Sequence, residues 1–320
     1  MDHIFGPVNS RRLGRSLGID LLPKKICNLN CIYCEVGATT TLTCERGEYV
    51  ATEEILAEID AYFADADRLA AIDIVTVTAS GEPTLHSGFG TILAHLKETT
   101  GKPIAVLTNG TTLMNAQVRK ELALADVVIP SLDSARIESF RKLDRPATCL
   151  DLGEIIQGLI LFSHEYQGKL WLEILLARGI NDSDEDLEAL QAVLGKMRVD
   201  RIQLNTVARP PLESFALPVS EQRLQEISAL LQEQNPGVQV DLLAQGAPTK
   251  DTASAVSADE QVDIVDEIIQ MLKRRPCTAA DINKIFHCGG LEKVEQYLAP
   301  LVRSGKIHTR RHGDRLYYLL

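Results

Sequence analysis

With 320 residues, 45% of them hydrophobic and 24% charged, the chain is long enough for one large domain and a small one. That balance excludes a peptide stapled by bridges and a wholly disordered chain. A net charge of -11 repels phosphate on average, so a nucleic-acid partner requires a local basic patch. No apolar run reaches the roughly 18 to 20 residues that cross a bilayer, and the first residues lack the apolar stretch of a secretory signal. Seven Cys, an odd number, predict reduced thiols or metal ligands rather than a disulfide framework. The expectation is a cytoplasmic protein without a membrane partner.

In chain order, β-branched runs recur at 16–22, 72–79, 104–107, 127–132, 170–177, 201–205 and 238–243. Stretches of helical period lie between them; Ile55, Leu56, Ile59, Tyr62 and Phe63 fall on one stripe. Strand followed by helix, six or seven times over, predicts an α/β fold of parallel strands with right-handed crossovers. Either an open doubly wound sheet or a complete or partial barrel satisfies it. Near Ala244 the pattern gives way to small polar residues, a linker at 246–258 that divides a large domain at 1–245 from a module at 259–320.

The module is predicted to begin with a helix carrying Val262, Val265, Ile269 and Leu272 on one face. A second opens at Thr278 with Asp281 as capping partner, and a third follows Gly289-Gly290 with Leu291, Val294, Leu298 and Leu301. Extended runs on either side of Gly313-Asp314 read as a hairpin. Three short helices closed by a hairpin make a winged helix. Arg303, Lys306, Arg310, Arg311 and Arg315 suit phosphate contacts. The outward Glu292, Lys293, Glu295 and Gln296 of the third helix read a major groove poorly, so docking of a protein partner or dimerisation ranks above nucleic-acid binding.

Directly after the first run, Cys27, Cys31 and Cys34 form C-x3-C-x2-C, a short loop that turns three thiolates toward one point. A cubane cluster takes a ligand on each of four irons, so three thiolates leave one iron open for chemistry. Zinc on the same cysteines plus Cys44 or a His is the alternative, weakened by the lack of a second C-x2-C pair. Cys44, Cys149, Cys277 and Cys288 show no ligand spacing and read as small apolar residues.

The stretch CNLNCIYC, with Tyr33 in the aromatic place, resembles the signature of the radical SAM superfamily. The resemblance covers about 6–243 and implies a partial (β/α)6 barrel of the TIM type, with the winged helix appended. It implies a [4Fe-4S] cluster on Cys27, Cys31 and Cys34, with S-adenosylmethionine (SAM) on the fourth iron. It further implies cleavage to a 5'-deoxyadenosyl radical that takes hydrogen from a small-molecule, peptide or nucleoside substrate, with flavodoxin or ferredoxin as electron donor. SGEPTL at 80–85 is similar to the family's stretch for the methionine amino group, which assigns Gly81, Glu82 and Pro83 to SAM; Ser80 stands where the family has a first Gly. GPVNSRRLGRSLGID ahead of the cysteines and GIND at 179–182 look most like the wybutosine-synthesis branch of tRNA modification. That branch's extra cysteines are missing, since no Cys precedes Cys27.

Catalytic groups of a parallel barrel sit at the C-terminal ends of its strands. Those ends present Glu82, Asn109, Ser131, Asp133, Asn181, Asn205, Thr206 and Arg209, residue types that loops and caps also use. The resemblance implies that Asn109, Ser131 and Asp133 bind the nucleoside part of SAM, and Asn205 is placed with them. Glu173, a carboxylate in mid-strand, needs a partner; a SAM contact is expected ahead of a structural ion pair. Arg11, Arg12 and Arg15 cover the barrel's edge, meet an acidic substrate or form a solvated basic segment. Three functions follow: a radical SAM enzyme, a cluster-bearing regulator that binds DNA through its winged helix, and a tRNA-modifying enzyme, which the acidic charge disfavours.

Overall fold

The computed structural model describes residues 1–10, 12–243, 261–286 and 288–320. The expected linker, Arg11 and the Val262 side chain lie outside the described residues. The chain opens with a hairpin, β1 (Ile4–Ser10) against β2 (Gly14–Asp20). A two-residue parallel pair, β3 (Ile26–Cys27) and β4 (Thr41–Leu42), comes next. Then α1 (Thr52–Phe63) and α2 (Ala66–Ala70) lead to β5 (Ile74–Thr78). The alternation continues with α3 (Phe89–Thr100), β6 (Ile104–Thr108), α4 (Ala116–Leu122), β7 (Val127–Pro130), α5 (Ile137–Leu143) and α6 (Leu152–Glu165). It ends with β8 (Lys169–Leu176), α7 (Asp184–Leu194), β9 (Arg201–Thr206), α8 (Glu221–Gln234) and β10 (Gln239–Leu242).

One sheet holds the strands in the order β1-β2-β5-β6-β7-β8-β9-β10, parallel from β2 onward. Its edges are β1 and β10, which makes it the partial barrel rather than the closed one. Period-2 alternation gives each strand two faces. Leu17, Ile19, Val75, Val77, Val106, Leu172 and Leu204 pack outward with Ile55, Ile59, Phe89, Leu93 and Phe162 of the helices. On the inner face Ile74, Ala105, Val127 and Ile129 form a smaller cluster, joined by Leu13 and Trp171. Apolar packing thus fills one end of the barrel interior and leaves the polar C-terminal strand ends around an open mouth.

The antiparallel β1 is absent from the sequence-based expectation. Its Gly6-Pro7 reads as a turn, and a register shift between Phe5 and Val8 absorbs that dipeptide. Pairing is secured at Gly18, where an added Cβ would lie 2.0 Å from the Phe5 ring, so only glycine admits the aromatic.

Beyond residue 260 come α9 (Gln261–Leu272), α10 (Ala279–Phe286), α11 (Leu291–Arg303) and a hairpin of β11 (His308–His312) and β12 (Arg315–Leu319). Thr278 and Asp281 cap α10 reciprocally: Thr278 N donates to Asp281 Oδ2 (2.9 Å) and Asp281 N to Thr278 Oγ1 (3.1 Å). The buried face of α9 is Ile264, Ile268, Met271 and Leu272, with Ile269. The expected stripe is therefore offset, with Val265 half-buried, and Leu291 is exposed where burial was expected. Val8 of β1 packs against this module's core. Across the hairpin, Arg310, His312 and Tyr317 donate to the carbonyls of Pro211, Val207 and Ala208 (3.0, 3.1 and 2.9 Å) in the segment leaving β9. The module therefore reaches from the β1 edge to the barrel mouth at β9.

Candidate active site

Cys27 ends β3, and the chain then runs irregularly to β4 through Cys31 and Cys34. The loop is held from both flanks. Thr43 N donates to Cys27 O (3.0 Å), Asn30 N to Asp144 O (3.0 Å), Ile32 N to Leu143 O (2.9 Å) and Ala147 N to Asn28 O (2.9 Å). The segment after α5 acts as a splint for the cysteines. A disulfide between Cys44 and Cys149 joins the two flanks covalently. This corrects the reading of those residues as ordinary apolar thiols, and it removes Cys44 as a fourth zinc ligand. The bridge spans 105 residues of sequence, so no local spacing announced it.

Cys27, Cys31 and Cys34 are free thiols and line one cavity of about 250 Å³ together with Tyr33, Gly81, Glu82, Asn109, Ser131, Asp133 and Glu173. Burial pushes the Cys27 thiol up to about 12. Cys31 is also driven upward, chiefly by burial and then by the charge of Asp144, to which its Sγ donates at 3.3 Å. Such thiols stay protonated at neutral pH until a cation draws the protons off. Asp144, with its own pKa raised by burial and by Asp133, was not singled out from the sequence; an acidic residue ending a helix carries no local signal.

The turn after β5 lies against the cysteine strand. An added Cβ at Gly81 would meet Ile26 O at 1.7 Å, so main chain approaches main chain there. Glu82 N donates to Ile26 O (3.0 Å), and Pro83 opens a single turn over Pro83–Leu85. The Glu82 carboxylate is fully buried, and desolvation raises its pKa against four donors. Thr84 N, Thr84 Oγ1 and Thr108 Oγ1 meet one oxygen at 3.1, 2.6 and 2.7 Å; Asn109 N meets the other at 2.7 Å. Ser80 uses its hydroxyl on the buried Asp20 (2.6 Å), with its N–H on the same carboxylate (2.9 Å).

Asn109 Nδ2 faces Cys27 Sγ (3.6 Å) and Asn28 Oδ1 (2.8 Å). Asp133 accepts from Tyr33 Oη and from Leu175 N (2.8 Å), and burial raises its pKa to about 7. Asn181, fully buried, donates to Asp133 O and Leu175 O (2.7 and 2.8 Å), so the GIND segment positions the Asp133 loop. Glu173 binds Arg12 Nη1, which also donates to Gln203 Oε1 (2.8 Å). Asn205 reaches this group through Glu173 (3.4 Å) rather than lining the cavity. The three loop-adjacent arginines part company: Arg12 enters the barrel, Arg15 pairs with Asp73 at the surface, and Arg11 lies outside the described residues.

A parallel partial barrel carrying a three-thiol loop at its mouth defines a SAM-dependent iron-sulfur class of enzyme. The chain belongs to the radical SAM superfamily, which it matches over residues 21–190 and whose members use a [4Fe-4S] cluster and SAM. It is 35% identical over 320 residues to a UPF0026 protein of Helicobacter pylori, covering 98% of this chain and 96% of that one. It is 32% identical to a GTPase Obg of Brachyspira hyodysenteriae, spanning 98% of this chain but 45% of that relative. A probable GTP 3',8-cyclase of Methanosarcina mazei is 27% identical over 60% of this chain and 55% of its own. Among solved structures, a radical SAM methyltransferase from Sphaerobacter thermophilus superposes with a TM-score of 0.54 at 20% identity, covering 71% of this chain and 66% of that one. TYW1 with a lysine-pyruvate adduct gives 0.50 at 20% identity, covering 68% and 73%. These likenesses establish the fold. Among the described residues no helix is long and apolar enough to cross a membrane.

By chemistry the donor set suits the family's cofactors: three unbridged soft thiols lie on one loop, and the adjoining strand ends present the mixed donors and acceptors that a nucleoside with an amino-acid tail requires. Among the described residues no three His, Cys, Asp or Glu side chains are already gathered in metal-binding geometry.

Proposed function

We propose that this protein is an oxidoreductase-type radical SAM enzyme in which Cys27, Cys31 and Cys34 hold the cluster. Gly81, Glu82 and Pro83 take the methionine end of SAM, with Tyr33, Asn109, Ser131 and Asp133 along its nucleoside. When bound and reduced, the cluster supplies the electron that cleaves SAM to a 5'-deoxyadenosyl radical able to abstract hydrogen from a substrate. The protein's own part is to bind and orient. Gly81 brings main-chain groups to the cavity wall, the buried Glu82 fixes the ends of β5 and β6 relative to each other, and Asn181 holds the Asp133 loop. The Arg12–Glu173 pair lines the cavity and offers a polar substrate charged contacts, with Gln203 and Asn205 bonded to it from behind. Substrate class stays at small molecule, peptide or nucleoside, and the electron donor at flavodoxin or ferredoxin in the cytoplasm.

The observation that carries this reading is the convergence of three free thiols and the Gly81–Glu82 turn on one cavity. Anaerobic reconstitution followed by dithionite is expected to release 5'-deoxyadenosine from SAM; a fully loaded cluster that releases none overturns it. The module at 259–320 is read as a winged helix used for docking within the chain. Arg310, His312 and Tyr317 are spent on barrel carbonyls, which favours the enzyme over the DNA-binding regulator.

A further inference from the structure

The buried contact between the C-terminal module and the barrel ends at the turn assigned to SAM. Arg274 follows α9, and its side chain is 12% exposed. Its Nε donates to Asp20 Oδ2 at 3.1 Å, Nη1 to Gln270 O at 2.9 Å and Nη2 to Asp2 O at 2.6 Å, while the guanidinium lies over the Phe5 ring, 4.6 Å from its centroid. Each guanidinium nitrogen has a fixed partner, so the group is locked rather than tethered.

Asp20 ends β2 with its side chain 3% exposed. Its carboxylate also accepts Leu22 N (3.2 Å), Ser80 N (2.9 Å) and Ser80 Oγ (2.6 Å). Ser80 immediately precedes Gly81, whose contact with Ile26 O leaves no slack. A short chain of charge-assisted hydrogen bonds thus runs from the module through Arg274, Asp20 and Ser80 into the turn. Residue 80 joins the turn to Asp20 twice, through its main-chain N–H and through the hydroxyl that the family's glycine lacks.

We propose that Arg274 is a positioning residue for SAM: the docked module neutralises Asp20 and thereby holds the 80–83 turn in its binding conformation. The proposal rests on the assignment of that turn to SAM. Removing the guanidinium leaves the Asp20 carboxylate buried without its counter-charge, a costly state that it relieves by moving. That movement loosens its hold on Ser80.

The test uses the full-length, anaerobically reconstituted protein, with SAM binding followed by equilibrium dialysis of labelled SAM. Arg274→Gln is expected to raise the SAM Kd about tenfold, about 1.4 kcal/mol, with iron content and kcat at saturating SAM unchanged, so that the loss appears in KM. Arg274→Lys is expected to recover most of it. Hydrogen exchange across 79–83 without SAM is expected to quicken in Arg274→Gln. In an Asp20→Asn background Arg274→Gln is expected to add less than twofold, because the two residues act in series. Ser80→Gly, which keeps the main-chain bond to Asp20 and leaves the module interface untouched, is expected to weaken SAM binding less than Arg274→Gln does.

An unchanged Kd in Arg274→Gln with the cluster intact, or the same tenfold effect in the Asp20→Asn background, overturns the proposal. If Arg274→Gln fails to hold a cluster, an Asp20→Asn variant with wild-type SAM affinity and wild-type exchange across 79–83 overturns it equally. A wild-type protein with a full cluster that binds no SAM sinks the assignment of the turn itself, an outcome distinct from an insensitive variant.

Discussion

Gly81→Ala tests the close approach on which the site is built. The added Cβ starts 1.7 Å from Ile26 O, and real Cβ atoms essentially never come within 3.0 Å of such an atom, so the two main-chain segments must part by about 1.3 Å. The obstacle is backbone, so no side-chain rotation relieves it. The hydrogen bond from Glu82 N to Ile26 O, 3.0 Å at present, does not survive that displacement. A lost hydrogen bond costs about 1 kcal/mol, and a buried group left unsatisfied about 1 to 3 kcal/mol; overpacking falls in the same range. The expected destabilisation is about 2 to 4 kcal/mol, read as a lowered urea midpoint at unchanged slope. Because Ile26 precedes Cys27, iron retention is expected to fall, and SAM affinity is expected to drop at least tenfold in whatever protein still carries a cluster. Gly195→Ala is the control: its Cβ meets only Gln191 O at 3.5 Å, in helical backbone, and the change is expected to stay within about 0.5 kcal/mol. A Gly81→Ala protein with wild-type midpoint and SAM affinity refutes the reasoning.

Replacing any one of Cys27, Cys31 and Cys34 by Ala is expected to cut reconstituted iron and its visible absorbance to a small fraction of wild type, with the fold retained by circular dichroism. Alkylation of the denatured, unreduced chain is expected to label five of its seven cysteines, since Cys44 and Cys149 are joined. Reduction of that bridge is expected to cost about 2 to 4 kcal/mol of stability, and seven labelled thiols would contradict the pairing. Burial raises the Asp133 carboxyl to about 7, above the unfolded value of about 3.9. The folded protein therefore holds a proton there that the unfolded chain releases, so stability of the cluster-free protein is expected to fall as pH rises from about 4 to about 7. Asp133→Asn is expected to flatten that decline, and an identical pH profile in the variant would count against the buried, proton-holding Asp133.

What the sequence disclosed was local. Cys27, Cys31 and Cys34 sit within one loop, Gly81 and Glu82 follow the end of a β-branched run, and Thr278 and Asp281 are three residues apart; each pattern is complete in a few positions. Strand locations came from β-branched runs, and the inner and outer faces from their alternation. What escaped depends on distant partners. The strand character of 4–10 depends on pairing with β2, where Gly18 makes room for Phe5. Asp144 acquires its role from Cys31, 113 residues away, and Arg274 from Asp20, 254 residues away. In α9 the expected Ile269 and Leu272 are buried, but Ile264 takes the buried place expected of Val265, because the two are equally apolar and only packing against the rest of the module decides between them.

The placement of the C-terminal module follows from the sheet's incompleteness. A sheet closed on itself has no edge, whereas this one ends at β1 and β10, and Val8 of the β1 edge packs against the module's core. Tyr317, Arg310 and His312 answer the carbonyls at 207–211, and Arg209 of that segment binds Glu35 beside Cys34 at 2.9 Å. The module thereby contacts the barrel on both sides of the cysteine loop, through Arg274 near the turn at 80–83 and through its hairpin near Glu35. Of the module's basic residues, Arg310 and His312 are thus engaged on main-chain carbonyls, whereas Arg303, Lys306, Arg311 and Arg315 stay exposed.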